Sequence, residues 1–414
     1  MQHRFVYEMI NDKVIQRKIL ILETLNNGED FVSSQHMAEL LHCTVRTIAK
    51  DISELKRELP ENWSILGFPT KGYVLHKPLQ DSLYSIIGNY LSQSVIYKIM
   101  IGIFNNRYYT LEKWSHVLYI NKRTLKNKLK VYAHTLKQSN IDLKYGELEL
   151  YGDEINIRYY YCVFFYITGK YINHSKLPIL LKEKLWSLFK SYSLKIDYDG
   201  AFTIFSVFIS RFFNKKHITK KMDIPSFSDE YIQFFNEVIS IIEGFYKIHL
   251  NDNEKNTLMF FLFFVIKTEH SNLIIDYPNI FYQNHKQLIH LLTINNCFHT
   301  QVEKQLFIDL LPYLFKIRLY NLNFFSIKYI FEPLQHSQSI LLEGYNKNLH
   351  LTSYWNNNSC NGIFNNYEIE FISTHATIII NSTLKKHVLF LYSGNAAVEK
   401  ILYSKLKKGL SNNV

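Results

Sequence analysis

The chain has 414 residues, 47% of them hydrophobic and 15% aromatic, with a formal net charge of +11. That apolar content excludes a disordered chain, the length suits about two to four domains, and the surplus of Lys and Arg favours an acidic partner. The longest apolar runs, such as 258–266, fall far short of the roughly 20 residues that span a bilayer.

Met1 to Ile10 lack the apolar core and small-residue cleavage site of a signal peptide, so a cytoplasmic protein with no membrane partner is expected. Cys43, Cys162, Cys297 and Cys360 are scattered, which argues against a disulfide framework or a zinc site. No Gly-x-Gly-x-x-Gly, P-loop or Gly-x-Ser-x-Gly occurs, so neither a cofactor nor an enzymatic activity is expected.

Residues 11–27 read as a helix with Val14, Ile15, Ile19, Leu22 and Leu25 inward and Asn26-Asn27-Gly28 closing it. A short capped helix over 32–41, a turn through His42 and Cys43, and a helix from Thr44 have helix-turn-helix spacing. In that last helix Ile48, Ile52, Leu55 and Leu59 make the apolar side and Arg46, Lys50, Ser53 and Arg57 the outward side, with Asp51 and Glu54 diluting its charge. Pro60 stops the helix. Residues 63–75 then read as two short strands around a loop containing Lys71, which makes a wing. Residues 76–84 form a short connection and 83–104 have helical spacing, so two stiffly joined modules are expected to address adjacent stretches of one duplex.

The order then repeats. Thr110 to Leu118 is the leading helix, Asn121 to Lys137 the second, and 141–144 with 148–151 the wing strands around Tyr145-Gly146. Thr44-Val45-Arg46-Thr47-Ile48 and Asn121-Lys122-Arg123-Thr124-Leu125 share cap, any, Arg, Thr, aliphatic, 77 residues apart. Asn121 suits an N-cap. Leu125, Leu129, Tyr132 and Leu136 gather on one side, and Arg123, Lys126, Asn127, Lys130, His134 and Lys137 on the other. No acidic residue lies between Glu112 and Asp142, whereas a merely solvated face usually mixes both signs. One-sided charge suits a polyanion.

Together with these tandem modules, the run Leu150-Tyr151-Gly152-Asp153-Glu154-Ile155-Asn156-Ile157-Arg158-Tyr159-Tyr160-Tyr161 resembles the Mga/AtxA-type regulators of Gram-positive bacteria, most strongly over about 17–165. The resemblance implies a transcription regulator with two DNA-binding winged helix-turn-helix domains, two helical domains like the sugar-phosphotransferase regulation domains, and a C-terminal piece like the IIB component of that transport system. A mainly α fold is therefore expected, divided as 1–78, 79–165, 166–280, 281–375 and a short α/β segment over 376–414.

Beyond 159 the sequence predicts helices over 159–169, 176–192, 201–214, 228–247, 253–268, 283–294, 299–318 and 325–335, with breaks at Pro225, Pro278 and Pro333. Phe202, Phe205, Phe208 and Phe212 read as core rather than as a cofactor box. In the resembled family, regulation runs through phosphate on histidines, which adds about −1.5 to −2 charges. This chain departs from that pattern. It has Glu254 and Phe261 where Glu and His would be spaced by seven, and Asp309-Leu310-Leu311-Pro312 in place of His-Leu-x-Pro. His217, beside Lys215 and Lys216, is the candidate acceptor among His217, His249, His270, His285, His290 and His299; each otherwise reads as a surface or core histidine. The tail, 386–394 followed by 395–408, has Leu391 or Tyr392 where the phosphorylatable cysteine would lie, so dimerisation is expected of it rather than phosphoryl transfer.

The resulting DNA-binding set is Arg46, Lys50, Ser53, Arg57 and Lys71 from the first module, and Lys122, Arg123, Lys126, Asn127, Lys130 and His134 from the second. Phosphate contacts set most of the affinity, and Arg and Asn can read guanine and adenine edges bidentately. The partners expected are double-stranded DNA, a second copy of the chain, and phosphotransferase-system proteins. Three alternatives stand beside this reading: an RNA-binding antiterminator with similar regulation domains, a shortened interaction-only regulator, and an enzyme fused to a winged helix. The last lacks a Gly-Arg-Gly-Arg-type loop.

Overall fold

In the computed structural model, residues 4–383 are described apart from 29–30, 138, 175–176, 193, 195, 222–225, 267–278, 297–301, 312–313, 315–341, 361 and 363. The chain opens with α1 (Arg4–Ile10) and α2 (Lys13–Asn27), followed by α3 (Ser34–Leu40), α4 (Val45–Glu58) and the hairpin β1 (Ser64–Phe68) to β2 (Gly72–His76). Helices α5 (Tyr84–Gln93) and α6 (Val95–Phe104) lead to α7 (Leu111–Val117), α8 (Lys122–Lys137) and a second hairpin, β3 (Asp142–Lys144) to β4 (Glu149–Tyr151).

Side-chain caps fix where these helices begin. Asp12 accepts from Val14 and Ile15, Ser33 from His36, Thr44 from Thr47, Thr110 from Lys113, and Asn121 from Arg123 at 2.8 Å. The two copies also share a backbone device. His42 (φ 49) and Tyr119 (φ 51) take the left-handed conformation between the paired helices, again 77 residues apart. Each hairpin is tied to the start of its leading helix, by Val32 against Tyr73 and by Thr110 against Glu147. Gly72 is required there: at φ +108 its Cβ would sit 2.2 Å from the Val32 carbonyl oxygen.

The expected helix over 11–27 is α2, which begins at Lys13, and a helix the sequence did not suggest, α1, precedes it. Asn11 at φ 42 and the Asp12 cap separate α1 from α2. With only seven residues α1 gives little periodicity, yet Phe5, Val6, Met9 and Ile10 are all buried. Val14, in the first turn of α2, is 43% exposed, and Ile21 takes an inward place. Helix α1 packs against α2, α5, α6, α8 and α9 (Glu154–Thr168), so it braces both copies.

Helix α9 starts five residues before the expected 159. Glu154 in its first turn complements the helix dipole and pairs with Arg158 one turn on, so the Ile-Asn-Ile-Arg run is already helical. Almost all of α9 is buried, as its nearly all-round apolar sequence requires. Tyr160 and Phe164 meet Phe5 on one side, while Tyr159 meets Phe261 on another.

Helices α10 (Ile179–Ser191), α11 (Tyr198–Phe213), α12 (Asp229–Tyr246), α13 (Asp252–Val265) and α14 (Asn279–Asn296) follow, close to the predicted spans. In α11, Phe205 and Phe208 are buried and Phe202 and Phe212 half-buried, as core residues. Of the span 299–318, residues 302–311 and 314 are described, as helix; 325–335 and the 386–408 unit lie outside the described residues. Two helices the sequence did not suggest, Tyr345–Ser359 and Asn366–Thr383, pack on each other, and the first also packs on α14. Their mixed Asn, Thr and Ser content hides the apolar stripe. The expected boundaries after 165, 280 and 375 fall within α9, α14 and Asn366–Thr383, because these helices continue through them. Among the described residues no helix is long and apolar enough to cross a membrane.

Candidate nucleic-acid interface

Helices α4 and α8 each bury one side and present the other. Ile48, Ile52 and Leu55, and likewise Leu125, Leu129, Tyr132 and Leu136, are buried. Arg46, Lys50, Ser53 and Arg57 on α4, and Lys122, Arg123, Lys126, Asn127, Lys130 and His134 on α8, are all exposed. Lys71 stands exposed in the turn of the first hairpin, its Nζ 5.5 Å from the Phe31 ring, which rests edge-on against Phe68.

The carboxylates of α4 do not dilute its outer face as expected. Asp51 is 1% exposed and bound by the guanidinium of Arg17 from α2, a hydrogen bond that raises the arginine pKa. Glu54 and Glu58 receive Lys18 Nζ at 2.9 and 2.7 Å, and the lysine hydrogen bond lowers the Glu54 pKa. Both acids therefore fasten α4 to α2. What remains outside is a Lys50–Glu54 pair at 3.9 Å, a helical pair worth a few tenths of a kcal/mol.

On α8 the first-turn Lys122 is answered by Glu112 of α7, whose pKa falls through the hydrogen bond. A cation at a helix N-terminus opposes the dipole, and Glu112 offsets it. Among the described residues Arg46, Arg123, Lys126 and Lys130 have no carboxylate partner. The inner side of α8 is clamped. Lys128 Nζ donates to the Asn11 carbonyl at 2.8 Å, Asn11 Nδ2 donates back to the Lys128 carbonyl at 3.3 Å, and Thr135 donates to Glu8 at 2.9 Å. The hydroxyls of Tyr132 and Tyr160 lie 2.8 Å apart.

Exposed residues beside this face that the sequence reading did not single out are Tyr119, 97% exposed in the α7–α8 turn, and Lys144, whose Nζ lies 4.6 Å from the Tyr151 ring. Strand alternation could have flagged Lys144; nothing local flags Tyr119.

His217 stands exposed on the segment after α11, its ring edge-on to Phe212 and its Nδ1 3.9 Å from Glu254 Oε1. That segment is pinned on both sides. The Lys216 carbonyl accepts from Arg158 at 2.8 Å and the Ile218 amide donates to Glu254 at 3.0 Å. Lys216 Nζ reaches Glu149 of β4 at 2.9 Å and Lys220 Nζ reaches Asp153 at 3.0 Å, joining the helical part to the second hairpin. Of the other candidate histidines, His249 and His290 are exposed and His285 is buried, while His270 and His299 lie outside the described residues. Among the described residues no group of His, Cys, Asp or Glu could hold a metal ion.

Comparison with known proteins adds matches over both helix-turn-helix regions. Residues 12–66 match the M protein trans-acting positive regulator helix-turn-helix domain, and residues 79–165 the Mga helix-turn-helix domain. The chain is similar to the capsule synthesis positive regulator AcpB of Bacillus anthracis, 30% identical over 150 residues that cover 36% of this chain and 31% of that protein. Against the capsule synthesis positive regulator AcpA of the same organism it is 27% identical over 146 residues, 35% and 30% of the two chains. With the anthrax toxin expression trans-acting positive regulator, also of Bacillus anthracis, identity is 20% over 246 residues, 58% and 51%. The chain thus spans about a third to a half of the length of these curated relatives. Over its two helix-turn-helix regions the chain is thus similar to the Mga/AtxA-type regulators.

Proposed function

We propose that the protein is a DNA-binding transcription regulator that lays α4 and α8 against one duplex, with each hairpin as a wing of a winged helix-turn-helix. The observation that carries this reading is the repeated construction of a buried apolar side and an outer face of Arg and Lys, whose nearby carboxylates are mostly drawn inward or to the helix start. Such a face gains affinity by releasing counterions from phosphates, while Arg46, Arg123 and Asn127 have the bidentate geometry for base edges. Helix α8 supplies more unanswered charge than α4 and supplies the larger share of the affinity. The named regulators among the relatives support the same reading.

The helical part from α10 onward acts in this reading as the regulatory region, related to phosphotransferase regulation domains, with a homodimer as the working form. Phosphotransferase proteins are its proposed partners, and His217 its candidate phosphate acceptor. Phosphate there would add negative charge 3.9 Å from Glu254, on a segment that also holds the second hairpin.

The test is a gel shift of the full chain with duplex DNA and with hairpin RNA over a range of salt. Duplex binding that weakens in an Arg123→Ala/Lys126→Ala variant supports the reading. Preference for the RNA, or affinity and salt slope unchanged in that variant, overturns it.

A further inference from the structure

Both helix-turn-helix turns are closed by the same backbone device. The His42 amide donates to the Glu39 carbonyl at 3.3 Å and the Cys43 amide to the Ala38 carbonyl at 2.9 Å. In the second copy the Tyr119 amide donates to the His116 carbonyl at 3.3 Å and the Ile120 amide to the Ser115 carbonyl at 3.0 Å. This crossed pair of bonds ends a helix through one left-handed residue, a place that glycine takes at no steric cost. His42 and Tyr119, at φ 49 and 51, hold it here. Lys215 and Lys247 take the same conformation after α11 and α12, so the conformation alone assigns no role.

What sets 42 and 119 apart is what flanks them and where they stand. Leu41 and Cys43 on either side of His42, and Leu118 and Ile120 on either side of Tyr119, pack against the core. Each turn is therefore anchored at both ends and its middle residue is turned outward. Tyr119 is 97% exposed, and His42 is exposed as well. Among the described residues neither ring has a hydrogen-bond partner. The fold gains almost no burial from the phenol, although it bears the cost of a left-handed side-chain-bearing residue.

Each ring stands two residues ahead of a capping residue, Thr44 or Asn121, and so at the mouth of the helix that carries Arg46 or Arg123. In a helix-turn-helix the first helix crosses the phosphate backbone and the second reads bases with its N-terminal residues, so the turn between them lies at the rim of the groove. A phenol O–H or an imidazole N–H at that rim is a donor held ready for a phosphate oxygen.

We infer that Tyr119, and His42 as its counterpart, each donate a side-chain hydrogen bond to a phosphate of the duplex and so fix how deeply the following helix enters the groove. The inference rests on the DNA-binding reading and adds to it two contacts that carry no base preference, so any duplex serves as the probe.

The experiment is an anisotropy titration of the full chain, at several salt concentrations, with a mixed-sequence duplex of about 30 base pairs, long enough for two modules a helical turn or two apart. Tyr119→Phe keeps the ring and the backbone cost and loses only the donor, so it should weaken binding about three- to tenfold. Its log–log salt slope should stay at the parent value, because a hydroxyl displaces no counterion. His42→Phe should weaken binding in the same range. Tyr119→Gly should weaken it at least as much while keeping the parent's denaturant midpoint, since glycine accepts the left-handed conformation. Unchanged affinity in Tyr119→Phe or in His42→Phe overturns the inference. A slope lowered in Tyr119→Phe as in Lys126→Ala overturns it too, since a lysine rather than the hydroxyl would then have lost its phosphate. If the parent chain binds no duplex, the proposed function fails as well; if the parent binds and Lys126→Ala weakens binding while Tyr119→Phe does not, this inference alone fails.

Discussion

The guanidinium of Arg158, on α9, grips both carboxylate oxygens of Glu254, on α13, and both side chains are buried. Arg158 also donates to Glu154 at 3.1 Å, and Glu154 receives Arg211 of α11 at 2.6 and 2.8 Å. Burial works against the Arg211 charge, and its hydrogen bonds to Glu154 more than offset this, so its pKa is raised. Two arginines and two glutamates thus close the seam between the second module and the helical part.

Removing one member of this cluster leaves a buried charge exposed to a low dielectric. Glu254→Ala is predicted to cost about 3–5 kcal/mol of stability, whereas Arg158→Met/Glu254→Leu costs less than Glu254→Ala alone. Denaturant unfolding of the wild type and these two variants checks this order; a double variant as unstable as Glu254→Ala, or more so, would contradict it.

Asn11 joins α1 to α8 through its side chain and backbone while holding φ at 42. Asn11→Ala loses the side-chain bond and keeps the strain, so a loss of about 1–2 kcal/mol is predicted. Asn11→Gly loses the same bond but accepts the left-handed conformation, so its loss is smaller. Thermal unfolding ranks the two, and amide exchange along α8 should speed up more in the alanine variant.

Charge already answered within the protein releases fewer counterions. Lys126→Ala should therefore lower the log–log salt slope of duplex binding by about one, and Lys122→Ala by less, since Glu112 holds that ammonium. Glu112→Ala should strengthen binding. Equal effects of the two lysine substitutions would show that the Lys122–Glu112 pair opens in the complex.

His285 is 1% exposed, with Nε2 3.0 Å from the Phe307 carbonyl and no partner for Nδ1 among the described residues. Burial pushes its pKa down from 6.5 to about 4. The unfolded chain therefore takes up this proton first, so the contribution to stability is complete above about pH 6.5 and is lost as pH falls toward 4. The predicted loss is about 1.4 kcal/mol per pH unit. Urea unfolding at pH 7, 6 and 5 should show this limb, and His285→Phe should remove this share of its slope, leaving that of His375, whose pKa burial also pushes down to about 4.

The N-terminal modules were legible because their signals are local: Thr44 and Asn121 cap, Arg46 and Arg123 follow, and the apolar positions keep helical spacing. The first hairpin was legible from Pro60 and the glycines. Helix α1 was not, since seven residues give a weak pattern and its burial depends on α5, α6 and α8. The inward turn of Asp51 and Glu54 depends on Arg17 and Lys18, more than thirty residues earlier, and no local spacing reveals such a tertiary pairing. The α9 start lies five residues before the expected 159 because Glu154 is held by Arg158 and Arg211, and the latter pairing comes from another helix.

Helix α9 faces the second module through Tyr160 and Tyr161 and the helical bundle through Tyr159 and Arg158. A fragment ended at residue 165 would cut this rod one turn short and bare a column of rings that water wets poorly, so it should clump when expressed alone. Domain grafting at that point would transplant an unfinished surface. The usable scissors point lies in the loop beyond Thr168, and even there the transplanted half needs a new neighbour to shelter those rings.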